Sequence, residues 1–226
     1  MKRPINQPID PFLLIPTVAL GVADDDAEAL ADMASRWAEQ GIAWLHLAAH
    51  ELPATRWQRA LAALTARGMA VQVDAALATS DDVGSALASG AARVVVDAAL
   101  GEAERRVLVA AHGAERLAIR VAEQSAEHAV ALATAWQALG VTWLLYRDEG
   151  DAWVRRLGRL GAFAQQTEMS IIAEIGAERV DQLLQLRWLQ PYGVVGTLLD
   201  PTRLDASLQA AQDMVADRLP HDAAAR

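Results

Sequence analysis

The stretch that decides the fold is residues 70–97, AVQVDAALATSDDVGSALASGAARVVVD. Two short apolar runs, 70–73 and 93–96, flank a helix-type segment at 80–89, which follows Thr79 and stops at Gly90. Threonine is a favoured N-cap, and glycine is favoured just after a helix. The apolar runs are continuous rather than alternating, which is typical of parallel strands covered on both faces. The stretch therefore predicts a strand–helix–strand unit of an α/β protein.

This unit repeats along the whole chain of 226 residues. The predicted strands are 12–20, 42–48, 70–73, 93–96, 117–121, 141–146, 171–173 and 194–197, and the predicted helices are 25–40, 54–67, 80–89, 102–111, 125–139, 152–167, 179–189 and 206–218. Eight such units predict a single-domain (β/α)8 TIM barrel over 1–226, with a doubly wound open sheet as the alternative. We expect a flexible leader over 1–11 and a flexible tail over 220–226.

The two halves of the chain share a sequence rhythm. Trp37, Gly41 and Trp44 recur at the same spacing as Trp136, Gly140 and Trp143, and MAVQVD at 69–74 aligns with MSIIAE at 169–174. An apolar–glycine–apolar pattern is common at any connection from a helix to a strand. Tryptophans at the same spacing in both halves are more specific evidence for a repeat. The repeat predicts a half-barrel duplication.

Composition excludes several kinds of chemistry. The chain has no cysteine, and its one lysine is Lys2 in the leader. Disulfides, thiolate metal sites and a Schiff-base lysine within the barrel are therefore ruled out. The net charge of −9 disfavours nucleic acid and anionic membranes as partners. With no apolar stretch of about 18 residues, we expect a cytoplasmic protein without a membrane contact.

Residues 70–83 and 86–96 resemble the patterns VQVGGGxRSxxDV and ALxxGxARVVVG of the HisA/HisF family of histidine-biosynthesis barrels, and its isomerase branch in particular. WLHL at 44–47 is similar to the family's second strand, and GVVGTLL at 193–199 to its eighth. The resemblance implies a half-barrel duplication with two phosphate sites facing each other across the barrel mouth. It also implies an Amadori-type isomerisation of an aminoaldose to an aminoketose.

The sequence departs from the family at the residues that this reaction needs. Two carboxylates must face each other across the substrate, at the ends of strands one and five. The family's IPALD appears here as IPTVA and its ALDV as AIRV, which leaves Ala19 and Arg120 at the acidic positions. Asp24 and Glu123 are the nearest carboxylates that a shifted alignment would recruit. We expect the parent isomerase activity to be lost.

The phosphate sites are altered as well. The glycine run after strand three is replaced by Asp74-Ala75-Ala76, and the glycine after strand four by Asp97. Carboxylates there oppose phosphate binding. Gly176 and the pair Gly196-Thr197 survive in the second half, so one anion site stays plausible.

In a barrel the functional face lies at the C-terminal ends of the strands. The catalytic candidates there are Asp74, Asp97, Glu174 and His50, and the ligand-binding candidates are Gly176, Gly196, Thr197, Arg120 and Arg147. Asp74 and Asp97 could instead cap helices, pair with the arginines or hold a hard cation. Because His46 lies in mid-strand, we expect a satisfied core residue there. The sequence predicts no metal centre and no cofactor.

Three functional hypotheses stay open. The first is a divergent HisA/HisF-like barrel that binds a small, singly phosphorylated or anionic metabolite, with a different isomerase or lyase activity where catalysis survives. The second is a pseudoenzyme that serves as a scaffold or assembly partner, and the third is an idealised barrel selected for folding alone. Trp57, Trp153 and Trp188 lie on helices, where exposed tryptophan would favour a homo-oligomer.

Overall fold

The computed structural model describes residues 13–19, 27–39, 41–50, 52–122, 125–148, 152–176, 182, 185–186, 189 and 193–196. Strands and helices alternate along these residues. The strands are β1 (Leu13–Ala19), β2 (Trp44–Ala48), β3 (Ala70–Asp74), β4 (Arg93–Asp97), β5 (Leu117–Val121), β6 (Trp143–Arg147), β7 (Ser170–Glu174) and β8 (Gly193–Gly196). The helices are α1 (Ala27–Glu39), α2 (Ala54–Thr65), α3 (Ser80–Ala88), α4 (Glu102–His112), α5 (Ala126–Gln137) and α6 (Trp153–Ala164).

The strands form a curled, all-parallel sheet. Each strand pairs with the next along the chain, and β8 also pairs with β1, which closes the sheet into a barrel. The predicted α/β class with a parallel, barrel-like sheet is confirmed. The predicted helix 206–218, the leader and the tail lie outside the described residues, as does most of the predicted helix 179–189. The half-barrel duplication stays a prediction.

Alternate residues of each strand face opposite sides of the sheet. Leu45, Val71 and Leu144 belong to the large core cluster between the sheet and the helices. Val95 and Leu145 belong to a second, smaller cluster that also includes Ile15, Ala118 and Ile172. Because its members on β1, β4, β5, β6 and β7 have the opposite parity to the residues of the large cluster, this second cluster lies inside the barrel.

Two strands begin later than predicted, and the helix ends explain why. The N–H of Ile42 donates to the carbonyl of Trp37 (3.0 Å), and the N–H of Val141 donates to that of Trp136 (3.3 Å). Gly41 (φ +82°) precedes Ile42, and Gly140 (φ +89°) precedes Val141. Both glycines adopt the left-handed conformation that ends a helix in a Schellman motif. The predicted strand starts at 42 and 141 are therefore wrong, because those residues complete helix ends.

Helix starts follow the sequence signals in one case and depart from them in another. Thr79 caps α3 in a capping box with Asp82, as its residue type suggests. For α5, which was predicted to begin at 125, residue Ser125 is instead the N-cap, and its hydroxyl accepts from the N–H of His128. Serine has the short side-chain oxygen that capping needs.

The helix tryptophans do not form the exposed set that suggested an oligomer. Trp57 is only 3% exposed and packs in the large core cluster, so the expectation for it is wrong. Trp153 is partly buried, and its Nε1 donates to Gln185 Oε1 at 2.7 Å. Trp188 lies outside the described residues, and a homo-oligomer stays a prediction.

Within the described part of the chain, no helix combines the length and the apolar character that crossing a membrane requires.

Candidate functional site

Charged side chains collect at the C-terminal rim of the barrel. Asp74, Asp97, Arg147 and Glu174 are the last residues of β3, β4, β6 and β7, and Arg120 is the last but one of β5. The strand registers place Asp97 beside Arg120 and Arg147 beside Glu174. Each has the parity opposite to the large core cluster on its strand, which directs it toward the barrel interior. The predicted strand-end residues therefore do come together.

Asp74 is the centre of the first group of rim residues. It is fully buried, and Arg120 Nη1 donates to its Oδ1 at 2.6 Å. His50, which follows β2, places Nε2 3.2 Å from Asp74 Oδ2, and its side chain is 29% exposed. Burial on its own raises the pKa of Asp74, but the contact with His50 and the charge of Arg120 outweigh burial and lower it. Asp74 is therefore an ionised carboxylate held between two nitrogen groups.

Asp97 stands at the edge of this group. Its side chain is 57% exposed, and its Oδ2 lies 3.6 Å from Arg120 Nη2. Its Oδ1 accepts from the N–H of Ala99 at 2.8 Å, which closes a local turn. Arg120 thus stands between Asp74 and Asp97 and bridges them. The sequence left open whether Asp74 and Asp97 cap helices, pair with the arginines or hold a cation. Both pair with Arg120, which lies between the two carboxylates.

The second group of rim residues is looser. Arg147 Nε lies 3.7 Å from Glu174 Oε2, and the two side chains are 31% and 17% exposed. The next residue, Asp148, faces α6 instead, where Arg159 holds both of its oxygens at 2.7 and 2.8 Å. Arg147 therefore keeps more contact with solvent than Arg120, whose side chain is 16% exposed.

An arginine lies beside the glycine of the expected anion site. Gly176 follows β7 with a positive φ of +59°. Arg156 of α6 donates from Nη1 to the carbonyl of Ile175 at 2.7 Å, and a Cβ on Gly176 would lie 2.9 Å from the same nitrogen. Any other residue at position 176 would be strained by the positive φ and would require this guanidinium to shift. Gly196 ends β8 and pairs with Pro16 of β1, while Thr197 lies outside the described residues, as do Asp24 and Glu123.

Below the rim lies a set of buried polar side chains that the sequence reading did not assign to the site. Arg93 of β4 donates from Nη1 to Gln72 Oε1 (3.3 Å), and Gln72 Nε2 lies 3.1 Å from His46 Nδ1. The Arg93 guanidinium stacks between the rings of Trp44 (4.5 Å) and Trp143 (3.6 Å). We call Arg93, Gln72 and His46 the polar column.

A signal for the polar column was present in the sequence. His46, Gln72 and Arg93 have the same parity along their strands as the inward rim residues. Period-two counting from Asp74 and Asp97 would have placed Gln72 and Arg93 inside the barrel. The same parity places Trp44 and Trp143 inside the barrel, packed against the inner cluster.

The rim can perform two kinds of chemistry. A carboxylate that orients an imidazole supports proton transfer through that imidazole, and guanidinium groups on neighbouring strands bind anions. Among the described residues, no three histidine or carboxylate side chains are grouped so that they could hold a metal ion. No family model and no curated protein sequence matches this chain.

Proposed function

We propose that the barrel mouth binds a small, singly phosphorylated or otherwise anionic metabolite, in a divergent protein of HisA/HisF type. The observation that carries the proposal is the pair Arg120 and Arg147, which point inward from neighbouring strands at the rim and keep part of their surface open. Guanidinium groups present a planar set of donors that suits carboxylate and phosphate oxygens. Arg156 beside Gly176 adds positive charge where one phosphate site of the family would lie.

The same rim favours isomerase or lyase chemistry on that metabolite. His50 faces Asp74 with Nε2, so a proton exchanged with the ligand passes through Nδ1 on the other side of the ring. The buried carboxylate holds the imidazole ring of His50 in a fixed orientation. Asp74 therefore acts as the orienting group and His50 as the general acid–base. Asp97 and Glu174 lie at the edges of the mouth, where they restrict how much negative charge a ligand can bring.

The parent isomerase reaction does not fit this rim. Its second carboxylate position holds Arg120, which forms ion pairs with Asp74 and Asp97. Its first holds Ala19, the last residue of β1. A different reaction must therefore use the His50–Asp74 pair, or the site only binds.

A non-catalytic scaffold is the second candidate. It is favoured by the internal pairing of the rim, because a 2.6 Å ion pair between Arg120 and Asp74 gives a stable mouth without any ligand. A scaffold would keep this pairing and respond to no small anion.

A thermal-shift titration separates the two candidates. We expect inorganic phosphate and ribose 5-phosphate to stabilise the protein, by about 2.7 kcal/mol at 100 times the dissociation constant. Arg147→Gln should abolish the effect. Arg106→Gln is the matched control, since Arg106 forms an exposed ion pair with Glu102 on α4, and it should respond like the wild type.

Sodium chloride at equal ionic strength controls for screening of surface charge. No shift with either probe beyond that of sodium chloride would refute the binding proposal and leave the scaffold. An equal loss in Arg147→Gln and Arg106→Gln would mean that the anion binds away from the mouth.

A further inference from the structure

The polar column connects the floor of the barrel to the layer just below the rim. His46 pairs in register with Gln72, and Ala48 with Asp74, so His46 lies one layer, about 7 Å, below the rim. His46 and Gln72 are 0% and 1% exposed, and Arg93 is 5% exposed. Polar groups buried this deeply in a barrel of Val, Leu and Ile need a reason.

The hydrogen bonds of the column can run in only one direction. A guanidinium group donates and cannot accept, so the Gln72 oxygen must face Arg93. The Gln72 NH2 group then faces His46 and donates to Nδ1. Nδ1 must therefore carry a lone pair, and the ring proton sits on Nε2. Arg93 sets the tautomer of His46 through Gln72.

Nε2, the ring nitrogen of His46 that does not face Gln72, is the unusual group. Nε2 is buried and has no hydrogen-bond partner among the described residues. Burial lowers the pKa of His46 to about 4, against which the charge of Asp74 acts. The other groups that act on the ring are His50, Arg147 and Arg120, all of the rim. Near neutral pH the ring is uncharged, and it holds an N–H donor among the groups that surround the mouth.

We propose that Arg93 and Gln72 are positioning residues that hold the proton of His46 on Nε2, and that this N–H donates to a carbonyl or hydroxyl oxygen of the metabolite at the mouth. The identity of the ligand rests on the proposed function, whereas the tautomer does not. An uncharged donor suits an uncharged oxygen, so His46 selects the sugar-like part of the ligand. The arginines of the rim bind the phosphate or carboxylate part.

The tautomer is tested without any ligand by nitrogen-15 NMR of histidine-labelled protein. We expect His46 to show a protonated Nε2 and an unprotonated Nδ1 from pH 6 to pH 8. In Gln72→Glu the donor becomes a carboxylate, so Nδ1 should become protonated and the His46 pKa should rise. A wild-type signal with the proton on Nδ1 would overturn the positioning role, whether or not the variant folds.

His112 provides an internal control in the same spectra. Its Nε2 lies 3.0 Å from the carbonyl of Ser80, between α3 and α4 and away from the polar column. Both histidines should show a protonated Nε2, but only His46 should change in Gln72→Glu. Equal changes in both signals would indicate a general loss of structure and would count against the column.

The ligand contact is tested by titrating ribose 5-phosphate into the same sample. The His46 Nε2 signal should move with the midpoint of the thermal-shift titration, and the His112 signal should stay still. A thermal shift without movement of His46 overturns the donor role and leaves the proposed function intact. If neither ribose 5-phosphate nor inorganic phosphate produces a thermal shift, the proposed function and the donor role both fail, and the tautomer alone decides the positioning role.

Discussion

Two walls of the barrel interior share a layout and differ in polarity. We call β2 with β3 the polar wall and β6 with β7 the apolar wall. One layer below the rim, the polar wall pairs His46 with Gln72, and the apolar wall pairs Leu145 with Ile172. The sequence repeat aligns these same positions. Equivalent backbone positions therefore support either a hydrogen-bonded chain or ordinary apolar packing.

The difference continues at the rim. Asp74 of the polar wall is buried and meets Arg120 at 2.6 Å, whereas Glu174 of the apolar wall meets Arg147 at 3.7 Å with both side chains partly exposed. An ion pair in a low-dielectric surrounding interacts strongly and costs more to break than one that water screens. The ion pair of the polar wall is therefore the more rigid one, and Arg147 of the apolar wall is the more exposed of the two arginines.

The largest expected effect comes from removing the cation of the polar wall. Arg120→Met leaves Asp74 buried without its closest partner, the guanidinium at 2.6 Å, which should lower the free energy of unfolding by about 3–5 kcal/mol. Urea unfolding at pH 7 measures it. Arg147→Met in the apolar wall is the matched control and should cost no more than about 1 kcal/mol. Similar losses in the two variants would erase the distinction between the walls.

The next effect is a pH dependence of the free energy of unfolding, which arises from His46. The pKa of His46 in the folded protein, about 4, lies below the ordinary histidine value of 6.5, so between these values the unfolded chain binds a proton that the folded protein does not bind. Stability should therefore fall as the pH drops from 6.5 to 4, by up to about 3 kcal/mol from this group. Urea unfolding at several pH values measures the slope.

His46→Gln should flatten that slope, because glutamine can still accept from Gln72 and does not titrate. His128→Gln, on the exposed face of α5, should keep the slope of the wild type. A slope that is unchanged in His46→Gln would show that His46 is not held neutral by burial.

The third effect concerns the floor of the polar column. Arg93→Met removes the guanidinium stacked between Trp44 and Trp143 and leaves Gln72 Oε1 without its donor. We expect a loss of about 2 kcal/mol in the free energy of unfolding. Arg93→Lys keeps the charge but loses the planar stacking, so it should recover only part of this loss. Full recovery with lysine would mean that charge alone matters there.

Much of the fold could be read from the sequence, since it depends on local signals. Continuous apolar runs identified the parallel strands, and Thr79 marked the start of α3. The errors came from backbone hydrogen bonds that the residue pattern does not display. Ile42 and Val141 are apolar like strand residues, but their N–H groups complete the endings of α1 and α5.

The site was predictable in position and not in pairing. Asp74, Asp97 and Glu174 follow apolar runs, so the end of each strand fixed their level. Which arginine each carboxylate would meet depends on side-chain reach across the barrel, as with Arg120 and Asp74. A residue inside a strand, such as Gln72, was read as part of an apolar run although its parity placed it within the barrel.

The smallest expected change in stability is also the most informative about binding. Glu174→Gln keeps the shape of the side chain and removes a negative charge beside Arg147. It should change the free energy of unfolding by no more than about 1 kcal/mol, because that ion pair is long and partly exposed. Under the proposed function it should tighten inorganic phosphate several-fold in the thermal-shift titration, since a repulsive carboxylate is gone. Asp74→Asn is the same exchange in the polar wall, and there the order should reverse, with a larger loss of stability and no gain in phosphate affinity. If Glu174→Gln weakens phosphate instead, then Glu174 holds Arg147 in place for the ligand, and the apolar wall is as preorganised as the polar one.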